Sequence, residues 1–176
     1  MSSEIRRPRV LISAASGHGS TTEIARMIGE TLGDKGIDVD IVPPEYVDSV
    51  ADYDAVVLGS AVYTGHWLGP ARDFAIRFRN ELAARSLWLF STGPVGDPTG
   101  KVAQSMKRDP VEIAGISQDI HPHGHQVFAG KLDPMLLSLT QRARSLVFRG
   151  VDGDFRDWTE IRQWADSIAA DLTAKR

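Results

Sequence analysis

The stretch 10–24 limits the fold of this chain more than any other part of it. It runs Val10-Leu11-Ile12-Ser13-Ala14-Ala15, then Ser16-Gly17-His18-Gly19-Ser20-Thr21, then into a helical period in which Ile24, Ile28 and Leu32 recur one turn apart. The apolar run at 9–13 is too short for a helix and suits a strand covered on both faces. A strand that passes through small residues directly into a helix cannot return as a hairpin, so its next partner lies parallel to it. Similar runs follow at 38–42, 54–60, 86–91 and 126–131, separated by segments of helical period. With right-handed crossovers, these predict an α/β fold: a doubly wound, five-stranded parallel sheet with helices on both faces.

The first helix has Gly33 and Gly36 near its end, where glycine caps a helix. In the second, Ala71, Ala75, Phe78 and Leu82 share a face, and Pro70 fits the first turn. The interval 92–125 carries Pro94, Pro98, Pro110 and Pro122 and is longer than a crossover needs, so it is expected to hold a helix at 101–108 and a short second turn. Closing helices are expected at 134–149 and 157–173, the latter with Trp158, Ile161, Ala165, Ile168 and Leu172 on one side. With 176 residues and no internal repeat, a single domain over 1–176 is expected, burying roughly 70% of the unfolded chain's surface.

The absence of cysteine excludes disulfides, thiolate metal sites and a cysteine nucleophile, so any redox chemistry must come from a cofactor. Twenty basic against 23 acidic residues leave a formal charge of −3, which gives no field to recruit nucleic acid. Neither a signal peptide nor an apolar run near the ~18 residues of a membrane span is present, so a cytoplasmic location is expected.

Ser16 to Thr21 stand where a helix begins with unpaired N–H groups and partial positive charge, a setting that favours an anion such as a phosphate. Gly17 and Gly19 let the backbone curl close, and the hydroxyls of Ser16, Ser20 and Thr21 add donors. Because no Lys or Arg occurs between Arg9 and Arg26, neutral dipoles are expected to bind the dianion. Helix capping is the competing reading, since Ser20-Thr21-Thr22-Glu23 has capping-box spacing. A Walker A loop lacks its Gly-Lys-Ser/Thr here, and a dinucleotide fingerprint would need glycine at Thr22 and an acid where Val42-Pro43-Pro44 stands. A receiver domain would need aspartates where the first and third strands end in serine and glycine.

Two more loops leave the same sheet edge: Ser60-Ala61-Val62-Tyr63-Thr64-Gly65-His66-Trp67 and Ser91-Thr92-Gly93-Pro94-Val95-Gly96. Tyr63, His66 and Trp67 suit the faces of a flat ring system, and Gly65 and Gly93 allow backbone contact with its polar edge. For each aromatic, ordinary packing is the alternative.

On these residues the chain resembles the flavodoxin-like family, specifically the branch with the menaquinone-dependent protoporphyrinogen IX dehydrogenases. Ser16 to Thr21 answer the family's Thr/Ser-x-Thr-Gly-x-Thr with His18 in place of the middle threonine. Residues 15–25, Gly65-His66-Trp67, Val127-Phe128-Ala129-Gly130 and Asp157-Trp158 continue the likeness to the branch over nearly the whole chain. The resemblance implies a flavodoxin-like sheet in the order 2-1-3-4-5 and an FMN cofactor. Its phosphate would lie on Ser16, Gly17, His18, Gly19, Ser20 and Thr21. Its ring would lie between Ser60, Ala61, Val62, Tyr63, Gly65, His66 and Trp67 on one side and Ser91, Thr92, Gly93, Pro94, Val95 and Gly96 on the other. No catalytic side chain is implied, because the flavin carries the chemistry. The function implied is an oxidoreductase or electron-transfer protein served by a redox partner protein or a quinone. Alternatives are porphyrinogen oxidation, from which the shorter 97–125 segment departs, and a deazaflavin, a nicotinamide nucleotide or no flavin on the same fold.

His121, His123 and His125 alternate in a way that would suit a transition metal if extended, but Pro122 and Gly124 make the segment a turn, and no metal is expected. The helix at 135–149 sets Leu136, Leu139, Leu146 and Val147 beside Arg142, Arg144 and Arg149. It reads as a surface helix covering the sheet, with peripheral membrane contact as the alternative.

Overall fold

The computed structural model describes residues 6–63, 65–93, 109–132, 153–154 and 156–174. The chain begins with β1 (Arg9–Ala15), α1 (Ser20–Asp34), β2 (Asp38–Ile41), a 3-10 turn (Pro44–Tyr46), β3 (Ala55–Tyr63) and β4 (His66–Trp67). It continues through α2 (Gly69–Arg77), α3 (Arg79–Ala83), β5 (Ser86–Gly93), α4 (Val111–Asp119), β6 (Gly124–Ala129), β7 (Lys131–Leu132), β8 (Gly153–Asp154) and α5 (Trp158–Ala174).

Five strands pair in parallel in the order β2-β1-β3-β5-β6, which is the arrangement the resemblance implies. The numbering shifts because β4 folds back antiparallel on the end of β3, with Val62 opposite Trp67 and Tyr63 opposite His66. β7 and β8 form a separate antiparallel ribbon that sets Lys131 opposite Asp154.

Strand residues alternate between two apolar layers. Val10, Ile12, Val57 and Phe90 pack with Ile24, Ile28 and Leu32 of α1 and with Ile161, Ala165, Ile168 and Leu172 of α5. On the opposite face Leu11, Val56, Leu58 and Leu89 pack with Phe74, Phe78 and Leu82 and with Ile113 and Ile116 of α4. Each fully buried aliphatic side chain contributes about 1.5–3 kcal/mol.

Helix α1 ends at Gly36, whose φ is +77°. The Gly36 N–H donates to the Gly33 carbonyl at 2.9 Å and the Ile37 N–H to Leu32 at 3.2 Å, the paired bonds of a Schellman stop. The segment expected as one second helix is divided at Phe78 into α2 and α3, although Ala71, Ala75, Phe78 and Leu82 are all buried as its spacing predicts. Where only a short second turn is expected in this interval, the nine-residue helix α4 forms after Pro110. The helices expected at 101–108 and 134–149 lie outside the described residues.

Gly59 stands beside Phe90 in the β3–β5 register. A Cβ there would lie 2.2 Å from Phe90 Cζ, in a ring wedged between Phe128 and Trp164 at 6.1 Å from each. Gly59→Ala should therefore destabilise the fold by about 1–3 kcal/mol, read as a lowered denaturant midpoint, and Phe90→Leu should recover part of that loss in the same background.

Candidate functional site

The carboxyl ends of four parallel strands meet at one cleft. After β1 it is lined by Ser16, Gly17, His18, Ser20 and Thr21, and at the end of β3 by Ala61, Val62 and Tyr63. Thr92 and Gly93 line it from β5, and Gly130 and Lys131 from beyond β6.

Gly19 decides how the turn becomes a helix. It takes the N-cap position at φ +89°, and its N–H donates to Ser16 Oγ at 2.9 Å. The Glu23 N–H then donates to the Gly19 carbonyl at 3.1 Å. The capping box expected from Ser20 to Glu23 does not form, because left-handed Gly19 starts the helix one residue earlier and makes Ser20 its first residue. Without a side-chain cap, the first-turn donors of α1 stay directed to the cleft end. Thr21 Oγ1 lies 2.6 Å from Thr92 Oγ1, which ties this turn to the end of β5. His18 Nε2 is buried and has no protein hydrogen-bond partner among the described residues.

The expectation that the turn acts without formal charge needs correction. No cation is near it in sequence, but the β6–β7 junction brings Lys131 into the lining. Gly130 makes that approach possible: its N–H donates to the Gly93 carbonyl at 2.6 Å, and a Cβ on it would lie 2.7 Å from the same oxygen. Arg156, 5% exposed, pairs with Asp154 and with Glu23 in the first turn of α1, and lies over the Trp158 ring. The hydrogen bonds that Arg156 donates to the Asp154 and Glu23 carboxylates raise its pKa and keep it protonated. Glu23 therefore has a counter-charge and does not oppose an anion at the helix start.

The ring loops divide into a wall and its anchors. Ala61, Val62 and Tyr63 form the wall, and the Tyr63 Oη lies 3.2 Å from where a Cβ on Gly17 would sit. Burial pushes the Tyr63 phenol up from its ordinary pKa. Behind them, buried Ser60 accepts from the Leu68 N–H at 2.9 Å and donates to the Ala61 carbonyl at 2.8 Å. Gly65, at φ +81°, accepts at its carbonyl from the Val111 N–H at 3.2 Å. His66 Nδ1 lies 3.0 Å from Glu112 Oε1, and the Trp67 N–H donates to Glu112 Oε2 at 3.0 Å. Trp67 does not face the cleft: it is 2% exposed, packed in the core, and its indole N–H donates to buried Ser91 at 2.7 Å. Gly65 and His66 likewise stand outside the lining. Thr64, Pro94, Val95 and Gly96 lie outside the described residues.

The model of the Flavodoxin domain family matches residues 11–146.

The chain belongs to the Flavodoxin domain family.

Among solved structures, this flavodoxin domain is similar to rubredoxin oxygen:oxidoreductase from Desulfovibrio gigas, with 16% identity, a TM-score of 0.63, and 96% of this chain on 37% of that one. A flavodoxin from the domain Archaea matches with 17% identity and a TM-score of 0.57, covering 94% of this chain and 99% of its own. The Streptococcus pneumonia TIGR4 flavodoxin matches with 17% identity and a TM-score of 0.56, covering 96% and 99%. At these identities the likeness is one of fold. The comparison with curated proteins gives no match. The domain therefore spans little more than a third of the first of these relatives and the full length of the other two.

Gly130 and Lys131 are the cleft residues that sequence reasoning missed. Their signal was topological, since the fifth parallel strand ends on the same edge as the other four. The three histidines separate: His121 sits at φ +51°, His123 stacks on Trp88 at 4.8 Å, and His125 bonds to Ser91 and Asp109. No group of metal ligands forms among the described residues.

Burial alone would raise the Glu112 carboxyl, but the bonds from the Trp67 N–H and His66 outweigh it and hold it below its ordinary value. Its stabilising effect is complete above the ordinary carboxylate range and is lost as pH falls through the lowered value. Glu112→Gln should cost about 1–3 kcal/mol in urea unfolding at pH 7, and the gap from the natural chain should narrow toward pH 3.

Proposed function

We propose that this flavodoxin domain binds FMN and works as an electron-transfer protein or oxidoreductase. The observation that carries the reading is buried His18 Nε2, which has no hydrogen-bond partner among the described residues, beside the uncapped start of α1. A buried ring nitrogen in a cleft calls for an outside acceptor, and a phosphate oxygen supplies one. When bound, the flavin contributes the redox chemistry.

The chain's own residues hold and orient it. Ser16 fixes Gly19, and with it the direction of the α1 N–H groups. His18 and the hydroxyls of Ser20 and Thr21 give donors, and Lys131 adds positive charge. Gly93 and Gly130 keep the far wall thin enough for the backbone to approach a ring edge. The Gly65 carbonyl, already bonded to Val111, would give up about 0.5–1.5 kcal/mol if its peptide turned toward the ring. Its partner would be a redox protein or a quinone, and among the described residues no helix is long and apolar enough to cross a membrane.

Mass analysis of the cofactor released by denaturing purified protein should give FMN, whereas a deazaflavin, a nicotinamide nucleotide or nothing at all would overturn the assignment. His18→Ala should weaken FMN binding about tenfold, equal to ~1.4 kcal/mol, and leave riboflavin binding unchanged. Gly65 and His66 stand outside the lining but belong to the hairpin that carries Val62 and Tyr63 into it, so Gly65→Val and His66→Ala should each shift the flavin reduction potentials through that wall, and unchanged values would show that the hairpin does not tune the flavin. Quinone-stimulated turnover of a porphyrinogen would place the chain in the protoporphyrinogen dehydrogenase branch.

A further inference from the structure

His125 closes a line of hydrogen bonds behind the ring wall, none of whose members lines the cleft. Trp67 Nε1 lies 2.7 Å from Ser91 Oγ, Ser91 Oγ lies 2.7 Å from His125 Nε2, and His125 Nδ1 lies 3.0 Å from Asp109 Oδ1. The chemistry of the donors fixes each proton. An indole N–H can only donate, so Ser91 accepts from Trp67. The Asp109 carboxylate can only accept, so the ring proton of neutral His125 sits on Nδ1, and the bare Nε2 accepts the serine's own proton.

Serine, histidine and aspartate follow the order of a nucleophile triad. Ser91 is nevertheless 1% exposed beneath the indole, so no acyl group reaches it. What the line does reach is the cleft wall, because Trp67 stands opposite Val62 in the β3–β4 hairpin and Val62 lines the cleft.

We infer that His125 is a positioning residue: acting through Ser91, it holds the Trp67 indole, and so the β3–β4 hairpin, and it couples that wall to protonation of its own ring. That the wall faces a flavin rests on the reading above; the brace does not.

With His125 neutral, every donor in the line has its acceptor. On protonation Nε2 becomes a donor, and the buried Ser91 hydroxyl proton loses its partner. Burial of His125 opposes protonation more than Asp109 favours it, so the ring titrates below the ordinary histidine value. From β5 the group facing it is Ser91, and from ahead of α4 it is Asp109, 65% exposed. Beyond Trp67, Glu112 pairs with His66 and Arg72, and next along β6 Gln126 bonds to Glu160. Neutral His125 thus favours the fold fully above about pH 6.5, and this contribution is lost as pH falls toward the lowered value.

The test is NMR on the 15N-labelled full chain without flavin, following its four tryptophan indole N–H signals from pH 8 to pH 4.5. One signal, absent in Trp67→Phe, should shift with a midpoint below about 6.5, and the Val62 amide should shift with the same midpoint. In His125→Gln the side-chain carbonyl accepts from Ser91 and the amide donates to Asp109, so both signals should stay near their high-pH positions without titrating. Asp109→Asn, at an exposed site, should lower the midpoint. An indole that does not titrate in the natural chain, one that still titrates in His125→Gln, a static Val62 amide, or an unmoved midpoint in Asp109→Asn would overturn the inference. A chain that takes up no FMN yet shows the titrating pair would keep this inference and lose the preceding one.

Discussion

The left-handed backbone of Gly19 decides where α1 begins, and the carboxyl edge of the sheet is arranged around that start. A residue with a Cβ would pay to adopt this conformation, and the helix would then open later, with a hydroxyl turned inward to cap it. Instead, Ser16 takes up the Gly19 N–H from outside the helix, Ser20 enters the first turn, and the unpaired helix donors meet the cleft. Thr21 then locks the same turn to β5 through Thr92. Glu23, which capping would have engaged, is left to Arg156, so α1 is clamped to the β7–β8 ribbon by a buried guanidinium.

Much of this was legible in the residues because buried parallel strands are short apolar runs, and five such runs alternating with helical periods give the layers, while the order came with the family resemblance. The periods Ile24, Ile28, Leu32 and Ile161, Ala165, Ile168, Leu172 marked helix faces that the core confirms. What escaped had physical reasons. A strand of two residues such as β4 carries no period, and it becomes a strand only because β3 runs on to Tyr63 and offers it an edge. The spacing Ser20-Thr21-Thr22-Glu23 fits a capping box, yet the torsion of the preceding glycine overrides it. Trp67 sits in a loop sequence that could face a ring, and the apolar cluster around it, with Ser91 beneath its indole, draws it inward. Lys131 was hidden because its place in the cleft lining is created by the sheet and not by the chain.

The wall residues are held from behind by a short piece of chain ahead of and within α4. Val111 takes the Gly65 carbonyl, Glu112 takes His66 and the Trp67 N–H, and Asp109 takes His125. Three separate bonds make the hairpin a part of this crossover as much as of the sheet. The geometry of the wall is therefore set by groups that never touch the cleft.

The buried polar side chains, Ser13, Thr21, Ser60, Ser91 and Thr92, gather toward the carboxyl ends of the strands and the start of α1. Each is satisfied by the protein itself, as when Ser13 donates to the Val42 carbonyl at 2.8 Å. They form a hydroxyl floor between the hydrocarbon interior and whatever occupies the edge above. Such a floor needs no rearrangement when a guest arrives, because its ordering cost has been met during folding. Affinity and selectivity are then left to the rim, and the rim can diverge between relatives while the platform under it stays the same.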